Sequence, residues 1–244
     1  MSYSSKIVDL NPYFYFPMDI KDGLLPLDLQ ENVVPVIIGD YGYELSVRFF
    51  SGPLDLDSGS LFILQSSEEF FSSEATYSFW ASSDVVEQTI DIFSIHSGSD
   101  GLGVSYFKDE SEITVHFYGE GTQSFTIDFD EPLLFTITIS SGTLSFYINS
   151  DLIFSTGSFT IPASPEIFLG GLSDAIGAGA IRVSDFFYLQ SALGLSEISN
   201  LYSLGYDGFE LFSLDSGSSL IINDVDNDFL QTAWQAYGEV TTKR

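Results

Sequence analysis

Runs that read as strands recur along this chain at intervals of about ten residues, and each lasts about five to eight residues before Gly, Asp, Asn or Ser interrupts it. Thr76–Ala81 puts Tyr77 and Phe79 on one face and Trp80 on the other. Thr89–Ile95 puts Ile90, Ile92 and Ser94 opposite Asp91, Phe93 and Ile95. Leu134–Ile139 meets Leu144–Asn149 across Ser140-Ser141-Gly142-Thr143, the plainest hairpin in the sequence. Further runs occupy Tyr43–Phe50, Ser60–Leu64, Gly103–Phe107, Ile113–Tyr118 and Ser124–Phe129. With so few helical periods, the strands must bury their apolar faces against one another, which predicts an all-β, antiparallel two-sheet β-sandwich of jelly-roll type. The 23 Phe and 13 Tyr suit such half-buried pleated surfaces.

One segment reads as a helix. Ser196 is placed at its N-cap, Ile198, Leu201 and Tyr202 share a face, and Gly205 is placed as its C-terminal stop. Beyond it, Gly208–Leu214 and Ser219–Asn223 read as two more strands. The expected organisation is a sandwich over residues 1–205, with one short helix, and a C-terminal β appendage over 206–244 that packs on the sandwich or on a neighbouring subunit.

Five segments, in order, resemble the laminin-G-like domains of the concanavalin-A-like lectin and glucanase superfamily. They are Asn11–Asp19, Ala75–Ala81, Ile137–Ile153, Leu169-Gly170-Gly171, and Val183–Leu193 followed by Ser196-Glu197-Ile198 and Leu201-Tyr202. The likeness covers residues 8–205 and implies a concanavalin-A-like jelly roll. Ser150 stands where the family has a turn glycine, Ser184 where it has an aspartate and Gln190 where it has an asparagine. Any ligand role tied to those positions is not carried over. Asp19 falls where relatives use the region for metal binding or capping. One fold carries many unrelated sites, so the resemblance leaves function open.

Charge narrows the choice. The 35 acidic and 7 basic residues give a net charge of −28. Such a surface repels nucleic-acid phosphate and anionic lipid, and it favours cations, basic partners and solubility. The chain has no cysteine, which removes disulfides and thiolate metal sites. The first residues lack a basic stretch followed by an apolar run, so no secretory signal is expected, and no apolar run is long enough to span a membrane.

No familiar catalytic pattern stands out in the sequence. Glycoside hydrolases of the superfamily carry glutamates around an aspartate on one strand, but around Asp91 those positions hold Thr89 and Phe93. Asp128 and Asp130 share a face without an acid–base glutamate at that spacing. His96 and His116 read as ordinary polar or partly buried residues. Calcium is the cofactor best suited to the chain, through the alternating oxygen ligands Asp224, Asp226 and Asp228; Asp55, Asp57 and Asp22 offer weaker sets. Trp80 reads as core, whereas Trp234 and Tyr237 are candidates for protein or glycan contact.

These readings lead to a non-enzymatic protein. The first expectation is a virion structural protein, a capsid decoration or tail appendage on the exterior of a phage-like particle, made in the host cytoplasm and binding other virion subunits in a multicopy assembly. The second is a carbohydrate-binding adhesion module, with calcium as a candidate requirement.

Overall fold

The computed structural model describes residues 3–17, 28–38, 41–43, 54–56, 61–64, 72–83, 89–97, 100–118, 121–127, 129, 131–157, 159, 162, 165–170, 181–210, 221–222 and 241–242. The chain begins with helix α1 (Tyr3–Asp9) and strands β1 (Phe14–Phe16), β2 (Val36–Ile38), β3 (Tyr41–Tyr43), β4 (Leu54–Leu56) and β5 (Leu61–Leu64). Long strands follow: β6 (Glu74–Ser82), β7 (Thr89–Ser97), β8 (Asp100–Phe107), β9 (Glu112–Tyr118), β10 (Gly121–Thr126), β11 (Leu133–Ser140), β12 (Thr143–Ile148) and β13 (Asp151–Thr156). The described chain ends with β14 (Glu166–Leu169), β15 (Ile181–Leu189), helix α2 (Leu195–Glu210), β16 (Ile221–Ile222) and β17 (Thr241–Thr242).

Two antiparallel sheets face each other. One has the order β13-β12-β11-β6-β15-β4-β3, with β1 also pairing β15; the other has the order β10-β9-β8-β7-β14-β5-β2. The expected hairpin is present as β11 and β12, with Ser140 opposite Thr143. Its two turn residues, Ser141 (φ 50°) and Gly142 (φ 79°), are both left-handed, the geometry that follows strand twist. Asn149 (φ 60°) closes the far end by accepting the Leu134 N–H at 3.0 Å through Oδ1.

Between the sheets lies an aromatic interior. Phe79 stacks on Phe135 at 5.4 Å and meets Phe186 edge-on at 5.9 Å. Phe62 reaches across from the opposite sheet to Phe16 at 5.4 Å. Tyr77 and Phe79 belong to this core, while Trp80 points the other way, as the alternation in the sequence requires.

Trp80 therefore enters a second core on the outer side of the eight-stranded sheet, with Tyr3 and Ile7 of α1, Leu134, Phe187, and Ile198 and Leu201 of α2. Helix α1 is absent from the sequence reading, because its seven residues present few apolar positions to count. Two expectations about α2 are corrected. Its cap position is Gly194 rather than Ser196: the Gly194 N–H donates to Glu197 Oε2 at 2.9 Å, and its carbonyl accepts from the Glu197 and Ile198 N–H groups. Gly205 does not stop the helix, which runs to Glu210 through the start of the segment read as a strand at Gly208–Leu214; residues 211–214 lie outside the described residues. Glycine is needed at 205 because a Cβ there would stand 2.4 Å from Trp80 Cζ2.

The β7 pattern is also corrected. Asp91 pairs with Ser105 and Phe93 with Val104, so Ile92 is an extra, bulged residue. The bulge lets Ile90, Ile92, Phe93 and Ile95 all join the interior, and strict alternation fails at that point. Tyr43–Phe50 is a strand only at Tyr43, with 44–50 outside the described residues. Strand β10 begins at Gly121 and ends at Thr126, earlier than the Ser124–Phe129 run.

Candidate functional site

Helices pack on the outer side of the eight-stranded sheet; among the described residues none packs on the outer side of the seven-stranded sheet. Register places side chains there row by row. Phe168 of β14 lies opposite Ser94 of β7, Ser94 opposite Gly103 of β8, Gly103 opposite His116 of β9, and His116 opposite Thr122 of β10. The neighbouring rows carry Asp91, Ser105, Thr114 and Ser124 on one side, and Glu166, His96 and Gly101 on the other. Both histidines of the chain thus share one sheet face, two strands and about 12 Å apart.

The two halves of this face differ. Toward β5 and β14 it is apolar and buried: Ile63 packs on Phe168, and the His96 ring stacks on Phe168 at 5.1 Å and 11°. Gly101 (φ 140°) lies against this half, and an added Cβ would fall 2.2 Å from the Ile95 carbonyl oxygen and 2.6 Å from His96 Cα. Gly101→Ala is therefore expected to lower stability by about 1–3 kcal/mol and to displace His96, checked by the thermal midpoint and by the His96 imidazole NMR signals.

Toward β10 the face carries hydroxyls, a carboxylate and an imidazole. Ser105 Oγ donates to Asp91 Oδ1 at 3.0 Å and lies 3.1 Å from His116 Nε2. Thr114 Oγ1 lies 2.9 Å from Ser124 Oγ and donates to Glu112 Oε1 at 3.2 Å. Ser105 and Thr114 are buried; Asp91, Glu112 and His116 are half-buried; Thr122 and Ser124 are exposed on an edge strand.

Serine, histidine and aspartate meet here, but in an order that defeats nucleophilic catalysis. A serine hydroxyl has one proton, and it goes to Asp91, so His116 Nε2 must donate to Ser105 rather than accept from it. A catalytic serine needs the opposite: a basic histidine nitrogen facing Oγ and a carboxylate behind the imidazole. What the arrangement does offer is a set of oriented donors and acceptors.

Burial pushes the His116 imidazole below its ordinary value of 6.5, and the Asp91 carboxylate only partly offsets this. Below pH 6.5 the unfolded chain therefore binds more protons at this position than the folded chain, and stability declines as pH falls through that value. The thermal midpoint of His116→Gln is expected to fall less than that of the parent between about pH 6.5 and 5, the window where an ordinary histidine titrates. Parallel curves for the two proteins would discard the effect.

The metal and contact residues singled out in the sequence, Asp224, Asp226, Asp228, Trp234 and Tyr237, lie outside the described residues, as do Asp19, Asp22, Asp57, Asp128 and Asp130. Among the described residues no three His, Asp or Glu side chains come together as a metal site, and no helix is long and apolar enough to cross a membrane. The hydroxyl–carboxylate–imidazole face was missed in the sequence because its members come from β7, β8, β9 and β10 and are joined only by register. The usable signal was Ser105, Thr114, His116 and Ser124 at alternate positions of neighbouring strand-like runs.

Neither a protein-family model nor a curated protein matches the chain. Solved structures do. The binding domain of botulinum neurotoxin DC in complex with SialylT is 16% identical with a TM-score of 0.61, over 80% of this chain and 52% of that one. The binding domain of the same toxin in complex with rat synaptotagmin II is 17% identical with a TM-score of 0.60, over 79% and 52%. The binding domain of botulinum neurotoxin serotype D is 15% identical with a TM-score of 0.60, over 80% and 51%. This protein shares their β-sandwich fold and spans about half the length of those chains.

Proposed function

We propose that this protein is a non-enzymatic carbohydrate-binding module, and that it holds sugar on the β8–β10 half of the outer face of the seven-stranded sheet. The observation that carries this is the network of Asp91, Ser105 and His116 beside Thr114 and Ser124. It presents oriented acceptors and donors at half-buried and exposed positions next to an open strand edge. Sugar hydroxyls are both donors and acceptors, and a rigid sheet carrying a carboxylate, hydroxyls and a neutral imidazole matches them without moving. The likeness to toxin binding domains, one of them in complex with SialylT, supports adhesion over catalysis. The virion setting expected from the sequence finds no support in these neighbours, which are binding domains of toxins, and glycan adhesion does.

The test is a glycan array, repeated with chelator because of the Asp224–Asp228 run. Selective binding is expected, with no reducing sugar released. His116→Ala should weaken it by about tenfold, the effect of losing one good hydrogen bond. An array without selective binding would rule the function out. Unchanged binding by both His116→Ala and Asp91→Ala would move the site off this face.

A further inference from the structure

We infer that the face takes uncharged glycans and discriminates against acidic ones, an inference that rests on the carbohydrate-binding reading above. Among the described residues, the charges around the network are all but uniform in sign. Asp91, Glu112 and Glu166 stand on the face itself, at half-buried positions. Asp100, at the start of β8, and Asp109 and Glu110, in the short 3-10 turn between β8 and β9, are exposed at its ends.

Among the described residues, Lys6 belongs to α1 and Arg182 to β15 of the other sheet, which leaves Lys108, followed directly by Asp109 and Glu110, as the basic group nearest this face. The imidazole does not substitute for one. Holding the Ser105 hydroxyl, itself committed to Asp91, requires only its Nε2–H, and a half-buried ring in this position favours the neutral form.

A glycan carboxylate or sulfate needs an Arg fork, a Lys or a bare backbone N–H to replace its water. Here it would instead meet carboxylates at close range, within the field of a chain carrying −28. An uncharged sugar meets no such penalty, because its hydroxyls donate to Asp91 and Glu112 and exchange bonds with Ser124 and Thr122. The selectivity is electrostatic, so salt should weaken it, whereas the hydrogen bonds to a neutral ligand are insensitive to ionic strength.

The experiment compares one immobilised galactose-terminated oligosaccharide with the same oligosaccharide capped by sialic acid, at low and high ionic strength, using the full chain. The uncapped form is expected to bind at least about fivefold more tightly at low salt, the scale set by two like charges at close range in a water-like medium. The ratio should shrink in high salt, and in the D91N/E112Q variant even at low salt. Equal or tighter binding of the capped form at low salt overturns the discrimination while leaving glycan binding intact. A preference for the uncapped form that neither salt nor the double variant reduces overturns its electrostatic origin. Failure of this pair to bind, on a chain that selects other neutral glycans on the array, overturns neither the module nor its sign of charge preference if the capped forms of those glycans are then the weaker of each pair, and overturns the preference if they are not.

Discussion

Raising the pH above 10 is expected to unfold this protein cooperatively. Tyr15, Tyr77 and Tyr188 are fully buried and Tyr3 is 3% exposed. Burial holds the phenols of Tyr3, Tyr15 and Tyr77 well above the usual value of 10.0, and pushes Tyr188 up to about 12. For Tyr3 and Tyr15 the nearby Asp185 carboxylate adds to burial, and for Tyr15 the hydrogen bond to Asp185 Oδ1 at 2.6 Å adds again. Above pH 10 the unfolded chain releases these protons and the folded chain keeps them, so stability falls as pH rises. At about 1.4 kcal/mol per proton and pH unit, four such groups remove about 5 kcal/mol per unit, against a total of about 5–15 kcal/mol for a typical domain. Phenolate absorbance should show a late, steep phase that coincides with loss of the far-ultraviolet sheet signal. Tyr77→Phe should move that phase to higher pH, since the Tyr77 hydroxyl has no hydrogen-bond partner among the described residues. Smooth ionisation of all tyrosines near pH 10 with an unchanged sheet signal would contradict the expectation.

Replacing Trp80 with alanine should lower stability by about 3–5 kcal/mol, the range for deleting a buried aromatic. The indole is 1% exposed and lies edge-on to Tyr3 of α1 at 6.2 Å and stacked on Tyr202 of α2 at 6.0 Å. It touches both helices where they sit on the eight-stranded sheet. Gly205→Ala forces a methyl group into the same ring and should cost about 1–3 kcal/mol. The double variant decides whether these effects share one cause. With the indole gone, the added methyl has space, so the loss should fall short of the sum of the single losses, read from denaturant midpoints. Strict additivity would mean that Gly205 is required for another reason.

The hairpin at Ser140–Thr143 was legible because its turn is local: two left-handed residues between alternating strands need no distant partner to specify them. The division of Tyr77 and Phe79 from Trp80 was legible for the same reason, since alternation is a property of one strand. Other features depended on partners far along the chain. The bulge at Ile92 exists only against β8. Asp28, which accepts the N–H groups of Tyr15, Gln30, Asn32 and Val33, and buried Asp185, which accepts from the Tyr15 hydroxyl, take their roles from Tyr15, far from at least one of them in sequence. The candidate face is the extreme case, since Asp91, Ser105, Thr114 and Ser124 fall in one row only through the pairing of β7, β8, β9 and β10.

The sequence by itself determined that strands would layer over a phenylalanine-rich interior, because side-chain alternation and turn chemistry act between residues a few positions apart. Only the tertiary structure decided which polar side chains gather beyond that interior and why a glycine lies inside a helix. Register and close approach join residues that no local pattern connects.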